Sequence, residues 1–359
     1  MKKVAIIGAG IFGLEIATQL INSGNKVSIF ESKSDVFKGA TGNSILRLHL
    51  GLHYPRDLET ALQSRNGYKA FIKKYRDCVN FSFNNFYALS NSKSKVNETE
   101  FQSFTKKAGI EIRSIPIQNL KELGVNTDKI TMAWSCDEGV IDLLKIKELF
   151  MNQIAPEVKI YFNSEIIQAE KIKNIWQLTD NKLNQHEFDF VIRATYGTDK
   201  IKSNTFEIEN RQIEYQKTFI LEVRTDQTIF GLTVIDGDFI TVLPKGFNNT
   251  FLVYAPKPSV LAKFTGNRYP EEWDSSENFN FDLAQEMLID RFRHWFPGVK
   301  KFEVLSHYHT VRSIPPNETK TDKRVSLIKI KDDGFIDVLS GKIDHCIEIG
   351  LVVNQLINQ

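Results

Sequence analysis

Only three cysteines occur in 359 residues, Cys78, Cys136 and Cys346, and none pair as Cys-x-x-Cys. That excludes a disulfide framework and a thiolate zinc centre, and no metal site is expected. A cytoplasmic, reducing location is expected. No apolar run approaches the ~20 residues of a membrane span. Lys2-Lys3 followed by Val4–Leu14 could pass for the start of a secretory leader. Gly8, Gly10 and Gly13 interrupt that run and Glu15 ends it, so no leader is expected. An excess of one charge is also missing. Lys plus Arg is 46 and Asp plus Glu 44, a net charge of +2, whereas nucleic acid calls for a basic excess or a concentrated basic face. No nucleic-acid partner is expected. With 20 glycines, 10 prolines and no internal repeat, collagen-like and low-complexity classes fall away.

What is present is aromatic mass. There are 26 phenylalanines in a chain that is 42% hydrophobic and 25% charged. Length alone suggests about two domains and a core large enough to enclose a sizeable ligand.

The first thirty residues carry the strongest signal. Val4-Ala5-Ile6-Ile7 is a continuous apolar run, as expected of a parallel strand buried on both faces. Gly8-Ala9-Gly10 breaks it. A helical pattern follows, with Leu14, Ala17 and Ile21 on one face, stopped at Asn22–Asn25, where Gly24 suits a left-handed cap. Val27–Phe30 is a second strand ending at Glu31. This is a βαβ unit with the turn Gly8-x-Gly10-x-x-Gly13. Gly8 permits the tight turn, Gly10 lets the backbone approach a pyrophosphate, and Gly13 lets helix and strand pack closely. Helix N–H groups then face the phosphates, and the Glu31 carboxylate can accept from ribose hydroxyls. Dinucleotide binding follows, with NAD and FAD both open at this point.

Downstream, helices are expected over Thr60–Arg76, Ile141–Gln153, Phe281–Phe296 and from Lys342 through Val353 and Ile357. Strands are expected at 80–89, 158–162, 172–178, 188–194 and 335–339, and 91–99 reads as a polar loop. From 211 to 254 the pattern changes to antiparallel strands at 218–223, 239–243 and 250–254, with turns at Asp236-Gly237 and Lys245-Gly246. The expected fold class is α/β, a Rossmann-like dinucleotide domain with an interleaved antiparallel-sheet substrate domain. The expected boundaries are 1–80, 140–205 and 300–359 for the first domain, and 81–139 and 206–299 for the substrate or cap domain.

The segment Lys38-Gly39-Ala40-Thr41-Gly42-Asn43-Ser44, running on to Arg47-Leu48-His49-Leu50-Gly51-Leu52-His53-Tyr54, resembles the D-amino-acid oxidase-like superfamily of FAD-dependent oxidoreductases. That superfamily includes glycine oxidase, L-2-hydroxyglutarate oxidase and flavin-linked glycerol-3-phosphate dehydrogenase. Glu138-Gly139-Val140-Ile141-Asp142, Val191–Gly197 and Gly334–Lys342 are similar to later elements of the family, in the same order. Tyr196 and Ser340 depart from small residues found there. The resemblance implies FAD as cofactor, held by Gly8, Gly10, Ile11, Phe12, Gly13, Glu31, Ser32, Thr41, Gly42, Asn43, Ser44, Ile166, Ala194, Thr195, Gly197, Gly341 and Lys342.

It also implies hydride transfer from a small polar amine, amino acid or hydroxy acid to flavin, with the electron acceptor left open. Lys342 can place positive charge beside the flavin or be a solvated lysine. His49 and His53 are candidates for a catalytic base or a flavin tether, or for hydrogen-bonding structure along the cofactor. Arg47 and Arg312 are candidate catalytic-site residues. Arg312 can clamp a carboxylate or phosphate or form an inter-domain ion pair. Arg211 and Tyr215 are weaker candidates. An NAD-dependent dehydrogenase and a non-catalytic flavin-binding protein are the alternatives.

Overall fold

The computed structural model describes residues 1–91, 94–154, 156–205, 212–235, 240–315 and 323–359. Its first sheet has six strands, in the order Leu327–Asp332, Phe335–Leu339, Phe190–Arg193, Lys3–Ile7, Lys26–Phe30 and Lys159–Tyr161. Every pairing is parallel except the hairpin formed by the first two. Both faces of the central strand are covered, which is why it reads as an unbroken apolar run. Val4 and Ile6 pack with the helices Ile11–Asn22, Leu143–Ile154 and Cys346–Asn358. Ala5 and Ile7, on the opposite face, pack with Ile166, Trp176 and Leu178 of a three-stranded meander.

The helix Ile11–Asn22 begins two residues before the expected Gly13. It ends where Gly24 adopts φ +78°. The helix Leu58–Tyr75 is capped by Asp57, whose side chain accepts from the Thr60 N–H at 2.8 Å.

The second sheet has nine strands and receives segments from both expected parts of the substrate domain, among them Asn84–Ser90, Ile130–Cys136 and Ile213–Thr225. The helix Phe281–Trp295 lies against it through Leu288, Phe292 and Trp295, so Trp295-Phe296 is core.

Three expectations change. The stretch 172–178 is not one strand. It is the tip of a hairpin between Ile166–Ile172 and Ile175–Asp180, turning at Lys173 (φ +48°) and Asn174 (φ +68°). Two successive left-handed residues make a tight hairpin turn, which Lys-Asn signals far less clearly than Asn-Gly. Second, 211–254 is not wholly antiparallel, because Phe230–Ile235 pairs in parallel with Asn84–Ser90. Strands brought together from distant parts of the chain are not constrained by a hairpin to run antiparallel. Third, Phe302–Ile314 pairs along its length with Ile213–Thr225. By sheet membership it therefore goes with the second sheet, not with the 300–359 segment of the first. Within the expected loop 91–99, a helix starts at Glu98, capped by Asn97. The Asp236-Gly237 turn and Arg211 lie outside the described residues.

Candidate functional site

A cavity of ≈ 590 Å³ runs between the two sheets, from Phe30 and Glu31 at one end to Arg47, His49, His53 and Lys342 at the other. At the first end the chain leaves the strand Lys3–Ile7 through Gly8, whose φ is +106° and whose N–H donates to Phe30 O at 2.8 Å. A side chain at Gly8 would lie 2.8 Å from Ala194 O. The helix that follows has no acidic residue in its first turn to oppose its dipole. Thr41 Oγ1 accepts the Ile11 N–H at 3.2 Å.

Glu31 accepts the Ala9 N–H at 2.8 Å and the Lys33 N–H at 2.9 Å, which fixes its carboxylate beside the glycine turn. Gly8, Gly10, Ile11, Phe12, Glu31, Ser32, Thr41, Asn43, Ser44, Ile166, Ala194 and Thr195 all line the cavity. Gly13, Gly42 and Gly197 serve it from behind. Gly13 packs on Gly8 O, Gly42 on Phe37 O, and Gly197 O accepts from the Tyr215 hydroxyl at 2.9 Å. Tyr196 itself sits at φ +60°, a left-handed conformation unusual for a bulky residue. The Asn43 amide closes its own loop by donating to Lys38 O and Gly39 O at 3.0 and 2.9 Å.

At the other end the Gly341-Lys342 loop is set by a buried polar chain. Gly341 N–H donates to Ser326 Oγ at 2.8 Å. Ser326 Oγ lies 3.0 Å from His345 Nδ1, and Ser64 Oγ lies 3.2 Å from His345 Nε2. A side chain at Gly341 would strike Arg324 O at 1.9 Å. Lys342 is half-buried, with its Nζ 3.5 Å from His49 Nε2 and 5.0 Å from the centre of the Tyr54 ring. Desolvation pulls Lys342 down to about 8, with Arg47 adding to the effect and Asp344 opposing it. Asp344, fully buried, is pushed up to about 7, chiefly by desolvation.

His49 and His53 are both held well below the usual histidine range, first by burial and then by neighbouring cations. Both are therefore neutral imidazoles. After burial, the charges acting most on His53 are Arg47, Lys342, Arg312 and Arg324, and all four of these side chains line the cavity.

The two arginines singled out from the sequence have different settings. Arg47 is deeply buried. Its Nη1 donates to the Tyr87 hydroxyl at 2.6 Å and to His53 Nδ1 at 3.3 Å, and its Nη2 bonds Thr233 Oγ1. Arg312 donates through Nε to Gln216 Oε1 at 3.0 Å and through Nη2 to the same oxygen. No ion-pair partner of Arg312 is seen among the described residues, so the inter-domain salt bridge is not formed there. Tyr215 is core, and Cys346 is a buried helix residue. Residues the sequence did not single out include Arg324 and Tyr254, which line the cavity, and Glu138 and Tyr87 behind it. Glu138 was visible only as part of a motif, and nothing local marked its partners on other strands.

The residues fit an extended dinucleotide. Gly10 keeps the backbone uncovered at the start of the helix, where Thr41 Oγ1 is the one atom within 4 Å of a methyl group added there, and the far end gathers cations able to face an electron-rich ring or an anion. A family model described as FAD dependent oxidoreductase matches residues 3–336. The chain belongs to this family. It is an FAD-dependent oxidoreductase, and the NAD-dependent alternative falls.

Among curated relatives, the FAD-dependent monooxygenase FPY4 of Fusarium mangiferae is 24% identical over 95% of this chain and 87% of its own. The FAD-dependent monooxygenase kojA of Aspergillus flavus is 25% identical over 99% and 86%. Among solved structures, glycine oxidase from Geobacillus kaustophilus matches with a TM-score of 0.74 at 13% identity, covering 100% of this chain and 95% of its own. Reduced L-alpha-glycerophosphate oxidase from Mycoplasma pneumoniae, solved with FAD bound, matches with a TM-score of 0.74 at 16% identity over 100% and 96%. No helix among the described residues is long and apolar enough to cross a membrane.

Proposed function

We propose that this flavoprotein oxidises a small substrate carrying an anionic group next to a C–H bond that bears an amine or hydroxyl. The observation that carries this reading is the set of four cations, Arg47, Arg312, Arg324 and Lys342, lining one cavity together with two neutral imidazoles.

Gly8, Gly10, Ile11 and Phe12 would hold the pyrophosphate of FAD, Glu31 and Ser32 the ribose, and Ile166, Ala194 and Thr195 the adenosine side. Thr41, Asn43, Ser44, Gly341 and Lys342 would hold the flavin side. When bound, FAD supplies the hydride acceptor. The chain supplies orientation. Arg47 has its Nη groups committed to Tyr87, His53 and Thr233. Arg312 is steered by Gln216, which contacts only Nε and Nη2 of its guanidinium. Arg312 is thus the better placed of the two to meet a carboxylate or phosphate.

Neither histidine is set up as a simple base. Arginine can only donate, so His53 Nδ1 is an acceptor already engaged by Arg47. A protonated Lys342 presents a donor to His49 Nε2. Lys342 Nζ, once that amine is neutral, is therefore the titrating acceptor we assign to the substrate amine or hydroxyl proton. Thr218, Thr241, Thr310 and Tyr254 complete the wall on the second sheet.

Anaerobic mixing of the flavin-loaded protein with glycine, L-proline, other amino acids, hydroxy acids and glycerol phosphate tests this reading. Bleaching near the flavin band by an anionic member of the panel supports it. Failure of every member, with bleaching by a reduced nicotinamide instead, favours the second reading. In that reading the protein is a monooxygenase like the two relatives that match over nearly the whole chain.

A further inference from the structure

Glu138 stands on the loop after the strand Ile130–Cys136 and is 2% exposed, yet it does not line the cavity. A buried carboxylate persists only when it is paired and hydrogen-bonded, and this one is. Its Oε1 accepts the Leu50 N–H at 2.7 Å, and its Oε2 accepts the Tyr87 hydroxyl at 2.7 Å. Arg47 Nε lies 3.8 Å from the same Oε2.

The direction of each bond in the chain is fixed by chemistry. Tyr87 spends its single proton on Glu138, so its oxygen must accept from Arg47 Nη1, at 2.6 Å. The second proton of that same Nη1 points to His53 Nδ1, at 3.3 Å. A guanidinium has no lone pair to offer, so His53 Nδ1 must be unprotonated. In a neutral ring the proton then sits on Nε2. Thr233, on the strand Phe230–Ile235, bonds the other Nη group and closes the cage around Arg47.

We infer that Glu138 is a positioning residue which, through Tyr87 and Arg47, locks the cavity-lining His53 as its Nε2–H tautomer. In that tautomer Nε2 can donate a hydrogen bond to an oxygen and cannot accept one from an ammonium group. The chain spans two layers. Arg47 and His53 lie on the segment between the first-sheet strands, while Tyr87 and Thr233 lie on the second sheet, so the tautomer also reports how the two sheets sit on the cavity. The inference uses the cavity described above but not the identity of the substrate.

Nitrogen-15 spectra of the flavin-loaded protein, labelled at the histidine rings and assigned through His53→Gln, test it without any substrate. The wild type should show a pyrrole-type Nε2 and a pyridine-type Nδ1 for His53. A hydrogen bond from a charged donor contributes about 1.5–3 kcal/mol, so the preference should be tenfold or more. Tyr87→Phe removes the relay oxygen while keeping every charge, and should bring the two tautomers to within about threefold of each other. Glu138→Gln should do the same, and Glu138→Asp should restore much of the preference. If Glu138→Gln does not fold, Tyr87→Phe carries the test alone. A wild-type His53 protonated at Nδ1, or an Nε2–H preference unchanged in Tyr87→Phe, overturns the inference. Substrate bleaching is read separately, so its failure would count against the proposed chemistry and not against the tautomer.

Discussion

Replacing Gly13 by alanine sets two physical effects against each other. Gly13 lies in the third position of the helix Ile11–Asn22, where alanine gains about 1 kcal/mol in intrinsic propensity over glycine. Propensity alone predicts a more stable protein. A methyl group at Gly13, however, would sit 2.0 Å from Gly8 O and 3.4 Å from Ile6 Cγ2. Relief requires the helix to withdraw from the strand by roughly 1 Å or more, because ordinary carbon contacts begin near 3.5 Å. The obstacle is backbone, so no side chain can swing aside. Ile6, Leu14, Ile16 and Ala17 are buried there at 2% exposure or less, and such overpacking costs typically about 1–3 kcal/mol, occasionally more. Because backbone blocks the methyl, the packing cost should fall in the upper part of that range and outweigh propensity, for a net loss of up to about 2 kcal/mol. The same withdrawal moves the Gly8–Phe12 turn, so flavin should be lost as well. Urea unfolding of the flavin-free protein and retention of flavin absorbance through gel filtration measure the two effects. Gly298→Ala, with no atom within 4 Å of the added methyl, is the control and should stay within about 0.5 kcal/mol. A Gly13→Ala protein as stable as its parent and still yellow would refute the close helix–strand approach.

Glu31→Gln keeps one acceptor but turns an amide group towards either the Ala9 or the Lys33 N–H. FAD affinity should fall roughly tenfold or more, given the strength of charge-assisted hydrogen bonds, as read by titration of the apoprotein. Arg312→Lys keeps the charge and loses the fork held by Gln216. KM for the anionic substrate should rise ~10-fold or more with kcat less affected, the pattern of lost uniform binding; an unchanged KM would remove Arg312 from the substrate site. Lys342, lowered to about 8 by burial, is charged below that pH and neutral above it. Affinity for an anionic competitor such as acetate should therefore be full below about 8 and fall by up to about tenfold per pH unit above it. Lys342→Met should flatten the profile; a wild-type profile that is flat from pH 7 to 9.5 would show that the ammonium does not face the anion.

The nucleotide half was legible because its signals are local. A continuous apolar strand, a glycine turn, a capped helix and a terminal acid fall within thirty residues, and each depends on its immediate neighbours. The substrate half was legible only in outline. Strand periodicity located most of the strands between 211 and 254, but the parallel pairing of Phe230–Ile235 with Asn84–Ser90 joins segments more than a hundred residues apart. The place of Phe302–Ile314 in the second sheet was hidden for the same reason, since no turn links it to the strand it pairs with. At the site, Arg47, His49 and His53 stood out as a cluster on one segment. What could not be read was which atoms they would spend on one another, because Tyr87, Thr233 and Glu138 reach them from three separate places in the chain.

The near-zero net charge looks different once the charges are placed. On the proposed reading the cavity takes a dinucleotide pyrophosphate and a second anion, a demand that does not require a basic protein. Backbone N–H groups at a helix end would meet the first part, and they carry no formal charge. For the second, the proposed reading relies on Arg47, Arg312, Arg324 and Lys342, which line the cavity with two neutral histidines. Burial strengthens that local field, because charges removed from water are screened less. A few partly buried cations can therefore favour an anion while the chain as a whole stays balanced. The same burial lowers Lys342 to about 8, which ties the strength of the field to pH around that value. On the proposed reading, selectivity for an anion and sensitivity to pH thus have one cause.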